Sequence, residues 1–116
     1  MPLTFRHYEV AGVSKLWGEN LGRMYADQHG LSVLCVRMGH CGDAPTDDRD
    51  VAIFTSYRDV AQCLRLCVQA PSSLMYDCFY CISNNSRGYR DIEHTREVLG
   101  YEPQDSADDF SFPRPK

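Results

Sequence analysis

The chain has 116 residues, 43% hydrophobic and 24% charged, with a formal net charge of −4. That length fits one domain or part of a larger one, and the mix is that of a folded chain rather than a disordered one. The acidic balance leaves no basic face for a phosphate backbone, which argues against nucleic acid, and no apolar run approaches the roughly 20 residues of a membrane span.

The first eleven residues, MPLTFRHYEVA, read as an N-terminal extension without the apolar run of a secretion signal. A cytoplasmic chain with reduced thiols at 35, 41, 63, 67, 78 and 81 is therefore expected. A helix is predicted over 12–29. Trp17, Leu21, Met24, Tyr25 and Gln28 recur at helical period, and Leu16 widens the apolar stripe. Glu19, Asn20, Arg23 and Asp27 supply the polar side, and Gly30 stands where a left-handed residue ends a helix. LSVLCVRM, 31–38, is a nearly continuous apolar run that suits a strand covered on both faces, as in a parallel sheet. Helix, tight turn and buried strand make the rhythm of an α/β protein.

Residues 39–50, GHCGDAPTDDRD, read as a polar loop, and VAIF after them as a second short extended piece. Ser56, three residues before Asp59, resembles a capping box with Asp in place of Glu and opens a helix that Pro71 ends. Val60, Leu64 and Cys67 share a face of that helix. CFYCI, 78–82, reads as a strand by its aromatic and β-branched content. After the loop SNNSRG, a last helix is expected from Tyr89 to Leu99, with Gly100 beyond it. The remaining tail reads as extended, its final stretch (111–116) proline-rich.

Cys78 and Cys81 have a C-x-x-C spacing, and Cys41 with His40 could complete a zinc set. In a strand, however, positions i and i+3 point to opposite faces. No metal site is expected, and Cys63 and Cys67 are read as small buried hydrophobes.

Five segments in order carry a resemblance. GVSKLWGE followed by NLGRMYADQHGLSV looks like the helix that carries a Tyr-x-x-x-Lys pair in extended short-chain dehydrogenases, with the strand after it. VRMGHCGDAPTDDR looks like the family's strand end and substrate loop. SYRDVAQCLRLCVQAP looks like its helix opening with Ser-x-x-Asp, and SNNSRGYRDIEHTREVLGYEPQDSADDF like its final helix and exit. From Gly12 to Phe110 the chain thus resembles the C-terminal part of the NAD-dependent epimerase/dehydratase family, and within it the uronate dehydrogenases. The resemblance implies an α/β fold: part of a Rossmann-like doubly wound domain, with two or three strands and three helices. It lacks the nucleotide-binding half.

By the same resemblance Lys15 is the family lysine, which holds the nicotinamide ribose of NAD and serves the catalytic tyrosine. A cation one helical turn away lowers a tyrosine's pKa toward neutrality, where it exchanges a proton with an alcohol. This sequence departs from that pattern, because Ala11 stands at the tyrosine position. Tyr8 lies almost two turns from Lys15, too far for the same role. Arg49 falls where the uronate dehydrogenases clamp the sugar-acid carboxylate, and His40 where they carry a substrate-side Ser. On composition alone, Arg49 reads as a surface arginine balancing Asp47, Asp48 and Asp50.

Dinucleotide binding needs a glycine-rich turn between a strand and a helix N-terminus. These 116 residues contain no such turn. NAD is therefore the family's cofactor, but the chain alone is not expected to bind it. The chain reads as a remnant inactive by itself, as an interaction module for a protein supplying the missing strands, or as one half of a split oxidoreductase. The stripe of Trp17, Leu21 and Met24 is either core or, as in the family, a homodimer face.

Overall fold

The computed structural model describes residues 10–88 and 91–110, with side chains from residue 12 onward. Elements follow in the order α1 (Val10–His29), β1 (Val33–Met38), β2 (His40–Cys41), α2 (Asp48–Ile53), β3 (Phe54–Thr55), α3 (Tyr57–Val68), β4 (Tyr76–Cys81) and α4 (Glu93–Leu99), with a 3-10 turn at Ala107–Asp109. The α/β class is as expected. The inventory is larger: four helices rather than three, and four strands, two of them only two residues long. The expected helix start at Tyr89 lies outside the described residues, but α4 begins only at Glu93, with residues 91–92 outside it, so the last helix is shorter than expected. No helix among the described residues is long and apolar enough to cross a membrane.

β1 and β4 are neighbours, and β2 pairs with β3 in parallel, His40 opposite Phe54 and Cys41 opposite Thr55. The Val33 N–H bonds to the Met75 carbonyl and the Gly39 N–H to the Cys81 carbonyl. Both bonds span the same sequence separation, the signature of a parallel pair. β1 has a partner on one edge only among the described residues. That explains why so apolar a strand contains no fully buried residue.

The chain divides into two compact units, the boundary falling within β1 and within β4. The first contains α1, the start of β1 and Ser72–Asp77. Here α1 turns its small residues inward. A Cβ on Gly22 would come within 2.8 Å of Val33 Cγ1, and Ala26 is buried. The Tyr76 hydroxyl donates to the Glu19 carbonyl at 3.1 Å, and the Arg23 guanidinium lies over the Tyr76 ring. The large apolar residues face the other way: Trp17 is 67% exposed, and Val13, Leu21, Met24 and Tyr25 are exposed with it. The core reading of that stripe is therefore corrected. Glycine and alanine let the helix approach its neighbours closely, which leaves the bulky side chains on the outer face.

The second unit holds Val36–Pro71 and the residues from Cys78 on. Its core joins Cys63, Cys81 and Tyr101, with Val36, Val60 and Leu66 against them. A smaller cluster joins Val51, Phe54 and Ala107. The expected extended piece VAIF is a correction. Residues 51–53 end the short helix α2, and only Phe54 and Thr55 are extended. Asp47 decides this, because its carboxylate accepts the Asp50 N–H and caps the helix. α3 begins as predicted, with the Ser56 side chain accepting the Asp59 N–H. Leu64 departs from its expected face and is 47% exposed, while Val60 and Cys63 turn inward. Gly100 ends α4 at φ 73°, a left-handed conformation that costs a glycine little. The tail to residue 110 is extended except for the 3-10 turn.

Candidate functional site

Lys15 lies on the second turn of α1, exposed, one turn after Ala11. Both belong to the first unit, whereas His40 and Arg49 belong to the second. Gly39, between β1 and β2, sets the start of the loop that carries them. A Cβ there would come within 1.9 Å of the Ile53 carbonyl oxygen, so only glycine lets the chain pass.

Asp50 organises this loop. It is buried, and its carboxylate accepts from the Thr46 backbone N–H at 3.1 Å and from the Thr46 hydroxyl. His40 Nε2 approaches the same oxygen at 3.6 Å. Burial alone would push the Asp50 pKa up. The two Thr46 hydrogen bonds and the charges of His40 and Arg49 outweigh it and hold the carboxyl below its usual range. Arg49 is exposed in the first turn of α2, not in the loop before it. His40 and Arg49 thus both act on the Asp50 carboxyl, and Arg49 is exposed.

A second carboxylate ties the frame behind the loop. Asp59 is fully buried. It accepts from the Ser83 hydroxyl at 2.6 Å, from the Gln104 N–H at 2.7 Å and from the Asp105 N–H at 3.1 Å. Ser83 Oγ in turn accepts the Ser56 N–H. One turn along, the Gln62 side-chain amide donates to the Glu102 carbonyl and accepts the Glu102 N–H, both at 2.7 Å. Arg58 forks onto Asp105 and holds that carboxyl below its usual range. Ser-x-x-Asp signalled the cap. Nothing local signalled that Asp59 also holds residues 83, 104 and 105.

No metal-ligating group of three or more His, Cys, Asp or Glu occurs among the described residues. No glycine-rich strand-to-helix turn occurs among the described residues.

No family model matches the chain. It is 42% identical over 110 residues to the NAD-dependent glucose-6-phosphate dehydrogenase of Haloferax volcanii, covering 92% of this chain and 41% of that protein. It is 35% identical over 99 residues to the uronate dehydrogenase of Agrobacterium fabrum, covering 85% of this chain and 37% of that enzyme. A Tyr-to-Ala mutant of the Agrobacterium tumefaciens uronate dehydrogenase, solved in complex with NAD, superposes at a TM-score of 0.83 with 34% identity over 92% of this chain and 42% of that one. The chain is similar to a C-terminal portion of NAD-dependent dehydrogenases, the uronate dehydrogenases among them. It spans about two-fifths of the length of the relatives it matches. Over that part it shares their Rossmann-like architecture.

Proposed function

We propose that the chain is the substrate-side, C-terminal part of an NAD-dependent dehydrogenase of sugars or sugar acids, and that it does not carry out the oxidation alone. The observation that carries this reading is the split within one family pattern. By the resemblance, Lys15 and the loop to Arg49 would stand at the family's places, while Ala11 has no titratable group to exchange a proton with a sugar hydroxyl. Lys15 would hold a nicotinamide ribose and, beside a tyrosine, favour the phenolate. Arg49 would grip an acidic sugar through its planar fork. NAD, where bound, would accept the hydride. His40, held by Asp50, replaces the family's substrate-side Ser. The relatives' names span a sugar phosphate, a uronate and, in L-arabinose 1-dehydrogenase of Haloferax volcanii, a neutral sugar. Sugar oxidation is therefore the supported class.

The missing strands would come from a nucleotide-binding half seated on the free edge of β1. The exposed face of Val13, Trp17, Leu21 and Met24 would meet a second copy. That face and that edge also support the second reading, an interaction module for a protein that supplies those strands.

A chimera tests the first reading. Residues 12–110 are joined to the nucleotide-binding part of the Agrobacterium fabrum uronate dehydrogenase, with either Ala or Tyr at position 11. The Tyr form should turn over about 10²–10⁴-fold faster, the usual worth of a general acid–base. Arg49→Ala in the active chimera should mainly raise KM for an acidic sugar. Equal rates with Ala and Tyr would contradict the assignment of position 11. Insensitivity to Arg49→Ala would return that arginine to a surface role.

A further inference from the structure

The thiols of the second unit are not scattered. Cys63 on α3 and Cys81 at the end of β4 are both fully buried and share one core cluster with Tyr101. Cys67 lies one turn after Cys63 on the same helix and is half-buried. The Cys81 thiol is 3.8 Å from the Tyr101 hydroxyl, which itself donates to the Ile82 carbonyl at 2.8 Å. All of these cysteines are free.

We propose that Cys63 and Cys81 are a redox pair, closed to a disulfide by a peroxide and reopened by a thiol reductant, so that oxidation staples α3 to β4. A disulfide requires two sulfurs that approach from separate elements with their Cβ atoms a few ångströms apart. Cys63 and Cys81 come from two separate elements, α3 and β4, and pack in one core cluster. Cys67 is not among the residues of that cluster and shares the helix of Cys63. The hydrogen bond from Cys63 holds the Cys81 thiol below the ordinary range and pushes the Cys63 thiol up. Cys81 is therefore the sulfur that ionises first and attacks. In the first step the Cys81 thiolate displaces one oxygen of a hydroperoxide, giving a sulfenic acid and, after protonation, an alcohol or water. In the second, the Cys63 sulfur attacks the Cys81 sulfur, and water leaves as the disulfide forms. Two thiols are oxidised and one O–O bond is reduced. Burial slows entry of the peroxide, so the rate follows local opening of the unit.

The test is oxidation of the purified full chain with hydrogen peroxide, in a Cys41→Ser background to remove the exposed thiol. Intact mass should fall by about two units, as expected for loss of two hydrogens in one disulfide. Tryptic mapping should link the peptide containing Cys63 to the peptide running from Leu66 to Arg87. The link should vanish in Cys63→Ala and in Cys81→Ala, and persist in Cys67→Ala and in Cys78→Ala. The oxidised chain should also melt several degrees higher, an increase that reductant reverses. Retention of every thiol under peroxide would overturn the proposal, as would a link surviving Cys81→Ala. Should Cys81→Ala fail to fold, Cys81→Ser, which keeps a small polar group beside Tyr101, gives the same readout.

Discussion

Removing the Asp59 carboxylate would strand three donors at once: the Ser83 hydroxyl and the N–H groups of Gln104 and Asp105. Losing a buried charged acceptor leaves its partners desolvated and unpaired. Asp59→Ala should cost about 3 kcal/mol, read as a lower urea midpoint, and Asp59→Asn less, since an amide oxygen still accepts. Equal stability of Asp59→Ala and the parent would show that the carboxylate is not holding the 83 and 104–105 segments. Gly39→Ala is a harsher change, because its Cβ would lie 1.9 Å from a backbone carbonyl that no rotamer can move. It should cost at least ~2 kcal/mol and disorder the loop that begins at His40, seen as faster amide exchange over residues 40–50. Only part of this was legible at the sequence level. Ser56-x-x-Asp59 reads correctly as a cap, but a cap is local, and the other partners of Asp59 lie 24 to 46 residues away. Gly39 gives no sign in the sequence of its clearance from Ile53.

At the scale of elements, α1, β1, α3 and β4 follow from period and composition, because each presents a repeat long enough to fix its kind. α2 did not, since VAIF is too short for a period to separate strand from helix. The cap that decides it, Asp47, lay inside a stretch of acidic residues that reads as loop. Asp50 makes this segment sensitive to acid. Its folded pKa is below the unfolded value of 3.8, so its stabilisation is present above that value and is lost as pH falls through the lower, folded one. Amide protection over residues 46–50, corrected for intrinsic exchange, should fall as pH drops below about 4, and Asp50→Asn should remove most of that dependence while leaving the segment looser at pH 7. A pH profile identical in the variant would assign the acid response elsewhere, Asp105 with its Arg58 partner being the next carboxyl held low.

At the scale of the whole molecule, two features stand out among the described residues: β1 pairs with a single strand, β4, and the apolar face of α1 is exposed. Trp17, Leu21 and Met24 read from sequence as core or interface with no means to choose, since periodicity reports that a face is apolar and not what it meets. The structure leaves them exposed within this chain. Such a face should drive self-association, so sedimentation should show mass rising with concentration, and Trp17→Glu should return the chain toward monomer. A monomer at every concentration would leave that face without a second copy. The central claim is that the chain keeps the substrate side of a dehydrogenase without the parts that seat the cofactor. A calorimetric titration of the purified chain with NAD tests it most directly. The account predicts no saturable heat through the micromolar range; saturable, stoichiometric binding there would contradict it.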